Sequence, residues 1–196
     1  MDYRILHGIY AVSLHHHWVG SLFKGVEDAS IPFMVVVTVA LWLFSRPGGD
    51  RKWKLAAGSA LASALVALIV NQIVHTVWDR PRPYEDHPAL SHPWSSSTDA
   101  SFPSDHASAS FAIAFAVLMF DRIVGALFLV AAAVIGIGRL FIGAHYPADV
   151  AAGVVVGAAS ALVVVRLGRP VVAFLVRLVE RLTDPVLRPL WRAGAR

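Results

Sequence analysis

Five stretches of this chain are apolar over a length that a soluble domain could not hide: roughly 29–44, 54–75, 104–120, 123–139 and 149–166. A helix needs about 20 residues to cross the hydrocarbon core of a bilayer, and about 17 suffice, so each stretch reads as a membrane span. Composition agrees. Hydrophobic residues make up 57% of the 196 and charged residues 15%, against roughly 45–50% and about 25% in soluble domains; mean hydropathy is +0.62. A soluble domain of this size has no interior large enough for so much apolar surface. The expected fold is all-α: a polytopic membrane helix bundle of about five spanning helices, one membrane-embedded domain over 1–196, with interfacial helices at both termini. Residues 1–20 hold Asp2, Arg4 and four histidines and lack the apolar centre of a signal peptide, so they read as an amphipathic helix lying at the interface. Residues 171–192 alternate apolar clusters with Arg177, Arg181, Arg188 and Arg192 and read as a second one.

The basic pI near 9.9 would suit a polyanion partner, but the placement of the charges assigns them another role. Five spans put Arg46, Arg51, Lys52 and Lys54, then Arg122, then Arg166, Arg169, Arg177, Arg181, Arg188, Arg192 and Arg196 on one side, 12 of the 17 Lys and Arg residues. The positive-inside rule makes that side cytoplasmic. The basic charge therefore reports topology, and nucleic acid is excluded as a partner. The absence of cysteine excludes disulfides, Cys-ligated zinc, iron–sulfur clusters and thiol nucleophiles.

The opposite, outer side gathers the chemistry. His75 to Tyr84 follow the second span, Ser101 to His106 open the third, and Gly138 to Asp149 close the fourth. Ionisable residues at span ends that share one face are functional candidates. Arginines clamp phosphate oxygens in bidentate fashion. Ser104 stands where a helix begins, and the N–H groups of Asp105 and His106 add an anion site with a favourable dipole. Two histidines, His106 and His145, can divide nucleophile and acid–base roles. Asp149, four residues after His145, lies on the same face if the segment is helical, where a carboxylate can fix the imidazole tautomer. No carboxylate cluster suggests a metal, and no cofactor is called for. The run His15, His16, His17 does not aim its rings in one direction and is read as interfacial. Gly153 and Gly157 form a small-xxx-small pattern that fits either close packing inside one chain or a homodimer seam.

These blocks resemble the type-2 phosphatidic acid phosphatase superfamily, whose pattern is Lys-x6-Arg-Pro, Pro-Ser-Gly-His and Ser-Arg-x5-His-x3-Asp. The counterparts here are His75-x6-Arg82-Pro83, Pro103-Ser104-Asp105-His106 and Gly138-Arg139-x5-His145-x3-Asp149. The Phe-Pro-Ser-Asp-His form is most similar to the bacitracin-resistance-type undecaprenyl pyrophosphate phosphatases. The resemblance implies His145 as nucleophile, Asp149 as its partner, and His106 as the acid and then base. It implies Arg82, Arg139 and Ser104, with Asp105 and His75 beside them, as the phosphate site. It further implies hydrolysis of undecaprenyl pyrophosphate through a phosphohistidine, without metal, on the outer face of a bacterial cytoplasmic membrane. Phosphatidylglycerophosphate or phosphatidic acid is the alternative substrate. Three positions depart from the pattern: His75 for lysine, Asp105 for glycine and Gly138 for serine.

Overall fold

The computed structural model describes residues 1–45, 51–88, 90–91 and 93–193. Arg46 and Arg196, counted above among the cytoplasmic charges, lie outside them, as does the side chain of Arg192. The described chain is helical: α1 (Asp2–His15), α2 (His17–Leu43), α3 (Lys52–Val77), α4 (Pro83–Asp86), α5 (Asp105–Leu118), α6 (Arg122–Phe141), α7 (Pro147–Arg166) and α8 (Arg169–Ala193). Of these, α2, α3, α6 and α7, with 27, 26, 20 and 20 residues, are long and apolar enough to span a membrane.

The shortest apolar helix is the centre of the bundle. α5 has 14 residues, about 21 Å at 1.5 Å per residue, and is packed by α3, α6 and α7. Its composition explains the position. Ala107, Ala112, Ala114 and Ala116 are fully buried, and small side chains let neighbouring backbones come close where lipid offers no hydrophobic drive for association. Gly153 and Gly157 of α7 complete this contact. A Cβ at Gly157 would lie 2.8 Å from the Ala112 nitrogen and the Ser108 carbonyl oxygen. The small-residue pattern is thus used within the chain, between α7 and α5. Residues such as Leu65, Ile69, Leu127, Val130 and Val155 remain exposed on the outside of the bundle, where a span meets lipid.

One expectation for the N-terminus is corrected: residues 1–20 are not one helix, because His16, at φ −125° and ψ 81°, separates α1 from α2. α1 packs against the bundle with one face. Leu6 and Tyr10 are fully buried, and the Tyr10 hydroxyl donates to the Ser91 carbonyl at 2.5 Å. The first span also starts well before the apolar run at 29. Lys24, Glu27 and Asp28 interrupt that run in the sequence, but they pair with one another, so the helix passes through them.

At the opposite end, Lys52 at the start of α3 reaches Asp121 at 2.8 Å, and Asp121 caps α6 through the N–H groups of Ile123 and Val124, both at 3.1 Å. The expected C-terminal segment is α8. It is fastened to the bundle by Lys54, only 1% exposed, whose ammonium meets Asp184 at 2.7 Å and Glu180 at 3.3 Å.

Candidate active site

Two of the sequence blocks share one local design. α4 and α7 each begin with an extended N-cap residue, Arg82 (φ −72°, ψ 158°) and Tyr146 (φ −77°, ψ 156°), followed by a proline at the first helical position. Each has an acidic residue at the third position whose carboxylate accepts the N-cap N–H: Glu85 from Arg82 at 2.8 Å and Asp149 from Tyr146 at 2.9 Å. Proline costs nothing at N1, where the N–H has no helical partner, and the returning carboxylate satisfies another orphan donor. The Arg82-Pro83 and His145-Tyr146-Pro147 sequences are therefore helix starts. They aim Arg82 and His145 from rigid points.

His145 is 2% exposed. Its Nδ1 lies 2.8 Å from the carbonyl oxygen of Ser101, so that nitrogen carries the proton and Nε2 carries the lone pair. Nε2 is 3.2 Å from Nη2 of Arg139. Burial, reinforced by the positive charges of Arg139 and Arg82, holds the imidazole well below its ordinary pKa of 6.5, which keeps it neutral.

Asp149 reaches this ring differently from the expectation. His145 precedes the N-cap of α7, so helical spacing does not place the two on one face. The carboxylate instead folds back over the helix start, and Oδ2 stops 3.8 Å from Nδ1. Its closer donors are Ser101 Oγ at 2.6 Å, the Tyr146 N–H at 2.9 Å and Arg80 Nη1 at 2.5 Å. Asp149 thus acts on His145 largely through Ser101, whose hydroxyl it holds while the Ser101 carbonyl takes the imidazole proton.

The expected phosphate residues share this end of the bundle. Arg139, 3% exposed, gives Nη1 to Glu27, and its Nε is buried without a partner. Ser104 Oγ is also fully buried and unpartnered; the serine is the N-cap of α5, yet its side chain does not cap the helix. Such groups cost free energy unless something accepts from them. Arg82 donates from Nε to the Asp99 carbonyl at 2.8 Å and from Nη1 to the Ala144 carbonyl at 3.4 Å. His106 is half-buried at the mouth of α5.

Three departures from the family pattern find their contacts here. The Asp105 carboxylate accepts from Asn71 Nδ2 at 2.6 Å, so its side chain belongs to the α3–α5 contact and only its backbone N–H is left for an anion. His75 Nε2 faces the Pro103 carbonyl at 3.3 Å, bracing the turn before Ser104. A Cβ at Gly138 would meet the Phe23 ring at 3.0 Å.

Several residues had no motif to announce them. Arg80 is taken up by two carboxylates of the chain itself: it bridges Asp149 and Asp2, at 2.5 and 2.9 Å, and stacks on Tyr146 with its guanidinium carbon 4.1 Å from the ring centre. Glu27 and Asn71 are equally unannounced, and Ser101 stands in the sequence only as the start of a block, with no role of its own. Only Glu27 left a trace, as an acid at the head of an apolar run. Taken together, a neutral buried imidazole with its lone pair against a guanidinium, beside unpaired buried donors, suits attack on an electrophile that carries several anionic oxygens, which is the description of a phosphoryl group.

Comparison with known proteins agrees with that chemistry. The family model described as PAP2 superfamily matches residues 56–172. The chain is 29% identical over 194 residues to undecaprenyl-diphosphatase BcrC of Bacillus subtilis, covering 96% of both chains. Among solved structures, Aquifex aeolicus LpxE superposes with a TM-score of 0.69 at 19% identity, covering 84% of this chain and 94% of the other. A PAP2-type phosphatidylglycerolphosphate phosphatase from Bacillus subtilis superposes with a TM-score of 0.59 at 18% identity, covering 92% and 84%.

Proposed function

The chain belongs to the PAP2 superfamily and is a multi-pass membrane phosphatase, and from that premise we propose that it hydrolyses undecaprenyl pyrophosphate to undecaprenyl phosphate, recycling the lipid carrier on the outer face of a bacterial cytoplasmic membrane. The observation that supports the catalytic reading is the hydrogen bond at His145: Nδ1 is committed to the Ser101 carbonyl at 2.8 Å, which leaves the Nε2 lone pair for attack. The substrate reading rests on the likeness to BcrC over nearly the whole chain.

In the mechanism, His145 Nε2 attacks the terminal phosphorus while Arg82, Arg139, Ser104 and the N–H groups opening α5, those of Asp105 and His106, hold the phosphoryl oxygens. The new N–P bond replaces the P–O bond to the lipid phosphate, and His106 gives that leaving oxygen its proton. The phosphoimidazole is cationic, and the Ser101 carbonyl and Asp149 stabilise it. His106, now neutral, takes a proton from water as the water attacks phosphorus, releasing inorganic phosphate and restoring both histidines. The charge is supplied by arginines, so the reaction proceeds without metal, and a chelator leaves the rate unchanged.

The test is trapping by an alkaline SDS quench, in which an N-phosphohistidine survives, with lipid labelled in its terminal phosphate. The parent and His106→Ala should carry label on the protein, the latter decaying slowly, and His145→Ala should carry none and have no turnover. Turnover by His145→Ala at a substantial fraction of the parent's would refute the mechanism. Release of phosphate from phosphatidylglycerophosphate or phosphatidic acid, but not from the polyprenyl pyrophosphate, would refute the substrate.

A further inference from the structure

Arg139 serves two partners. One amino group faces the nucleophile at 3.2 Å; the other is held by the Glu27 carboxylate, which reaches across from α2. Glu27 is thereby bound to an arginine assigned to the phosphate, and its second oxygen is buried with no hydrogen bond. A carboxylate and a phosphoryl group both use a guanidinium in the same way, through paired oxygens, so they compete for Arg139. Lys24, one helical turn before Glu27, lies 3.7 Å from that second oxygen and can receive the carboxylate once it is displaced. Nearby, Phe23 of α2 stacks on Phe141 of α6 at 4.6 Å.

Directly beneath the pair, the seam between α2 and α6 opens into an apolar groove of about 270 Å³, lined by Val26, Ser30, Phe33, Ala131, Val134 and Ile135. The register fixes the order: Ser30 follows Glu27 by one turn on α2, its hydroxyl on the Glu27 carbonyl at 2.8 Å, and Ile135 precedes Arg139 by one turn on α6. The groove therefore begins one helical turn from the ion pair on both α2 and α6.

We propose that the Glu27–Arg139 ion pair is a gate between the phosphate site and the α2–α6 groove: the incoming phosphate displaces Glu27 from Arg139 onto Lys24, and the hydrocarbon chain next to the phosphate lies in the groove. This rests on the lipid-phosphatase reading above. It goes further, naming the route of the chain and a carboxylate that weakens the hold on phosphate and so speeds product release.

The experiment uses the full chain in mixed micelles with polyprenyl pyrophosphate, and inorganic phosphate as competitive inhibitor. Phosphate inhibition reads the head site, and the KM for lipid reads head and chain together. Glu27→Gln keeps a hydrogen-bond acceptor for Arg139 but removes the competing charge, so the inhibition constant for phosphate should fall roughly tenfold, the scale of one charged hydrogen bond. A Glu27 that only positions Arg139 gives the opposite sign, weaker phosphate inhibition, and that result overturns the gate. Ala131→Phe fills the groove, and the ratio of lipid KM to phosphate inhibition constant should rise roughly tenfold, as expected for overpacking. A ratio unchanged in Ala131→Phe overturns the chain's route. If the parent turns over phosphatidylglycerophosphate and not the polyprenyl substrate, the substrate reading alone fails, and both comparisons are read on that lipid, because the groove accepts either kind of chain.

Discussion

A close approach between α7 and α5 sits beside the proposed catalytic residues, and it sets a measurable tolerance. Gly153, one turn after Asp149 on α7, faces the start of α5: a Cβ there would lie 2.7 Å from Ala107 Cβ, 3.0 Å from the Ser104 carbonyl oxygen and 3.1 Å from the Ser108 nitrogen. Carbon atoms pack at about 3.5–4.0 Å, so Gly153→Ala forces α5 and α7 apart by about 0.8 Å, since backbone atoms cannot swing aside. α7 carries Asp149 and follows His145; α5 carries Ser104 and His106. The substitution therefore widens the gap between nucleophile and phosphate donors. Overpacking of this kind costs about 1–3 kcal/mol of stability, and a misplacement near 1 Å costs roughly a hundredfold in rate. The assay is kcat on the lipid with thermal unfolding of the same preparation. Gly8→Ala is the control, because nothing lies within 4 Å of a Cβ there and a helical Gly→Ala exchange stabilises by about 0.5–1 kcal/mol. A Gly153→Ala enzyme with the parent's kcat would refute the claim that this contact sets the site's geometry.

Other predictions follow from single contacts. Burial, then the Arg139 and Arg82 charges, keep His145 unprotonated where the unfolded chain takes a proton, below its ordinary pKa of 6.5; its contribution is present above that pH and is lost as pH falls. The parent should therefore lose more Tm than His145→Asn between about pH 7 and about pH 5.5, and equal losses would contradict the assignment. Lys54→Met leaves the Glu180 and Asp184 carboxylates without their buried partner and should cost about 3–5 kcal/mol; adding Glu180→Gln and Asp184→Asn should restore much of the loss, and no recovery would mean that packing of the stem, not charge, is what Lys54 provides. With no native cysteine, a cysteine at Ser96 should react with an impermeant thiol reagent in intact cells and one at Arg122 should not; the reverse pattern would place the site on the cytoplasmic side.

How much of this was legible beforehand differs between fold and site. The spans were readable because a bilayer imposes a length and a polarity that one sequence window can display. The N-terminal boundary was not, because Lys24, Glu27 and Asp28 look like the end of a span until their mutual pairing and the Arg139 contact are seen. For the site, the spacing of Arg82, Ser104, His106, Arg139, His145 and Asp149 named the groups, and the structure brings them to one end of the bundle. Asp105 and Arg80 show the limit: both are ionisable residues within or beside the motifs, but Asn71 takes the first, and Asp149 with Asp2 takes the second.

By itself, then, the sequence determined that the chain is a helical membrane bundle, which residue types gather at one of its ends, and which chemistry they suit. These are properties of composition and of spacing along one chain. Only the tertiary structure decided who touches whom: that His145 is oriented by a backbone carbonyl of Ser101 and reached by Asp149 at second hand, that Glu27 shares Arg139 with His145, and that Gly153 and Gly157 pack α7 on α5. Each joins residues from different helices or loops, separated by tens of residues or more in several cases, and a contact made by closing so long a loop leaves no local periodicity to read.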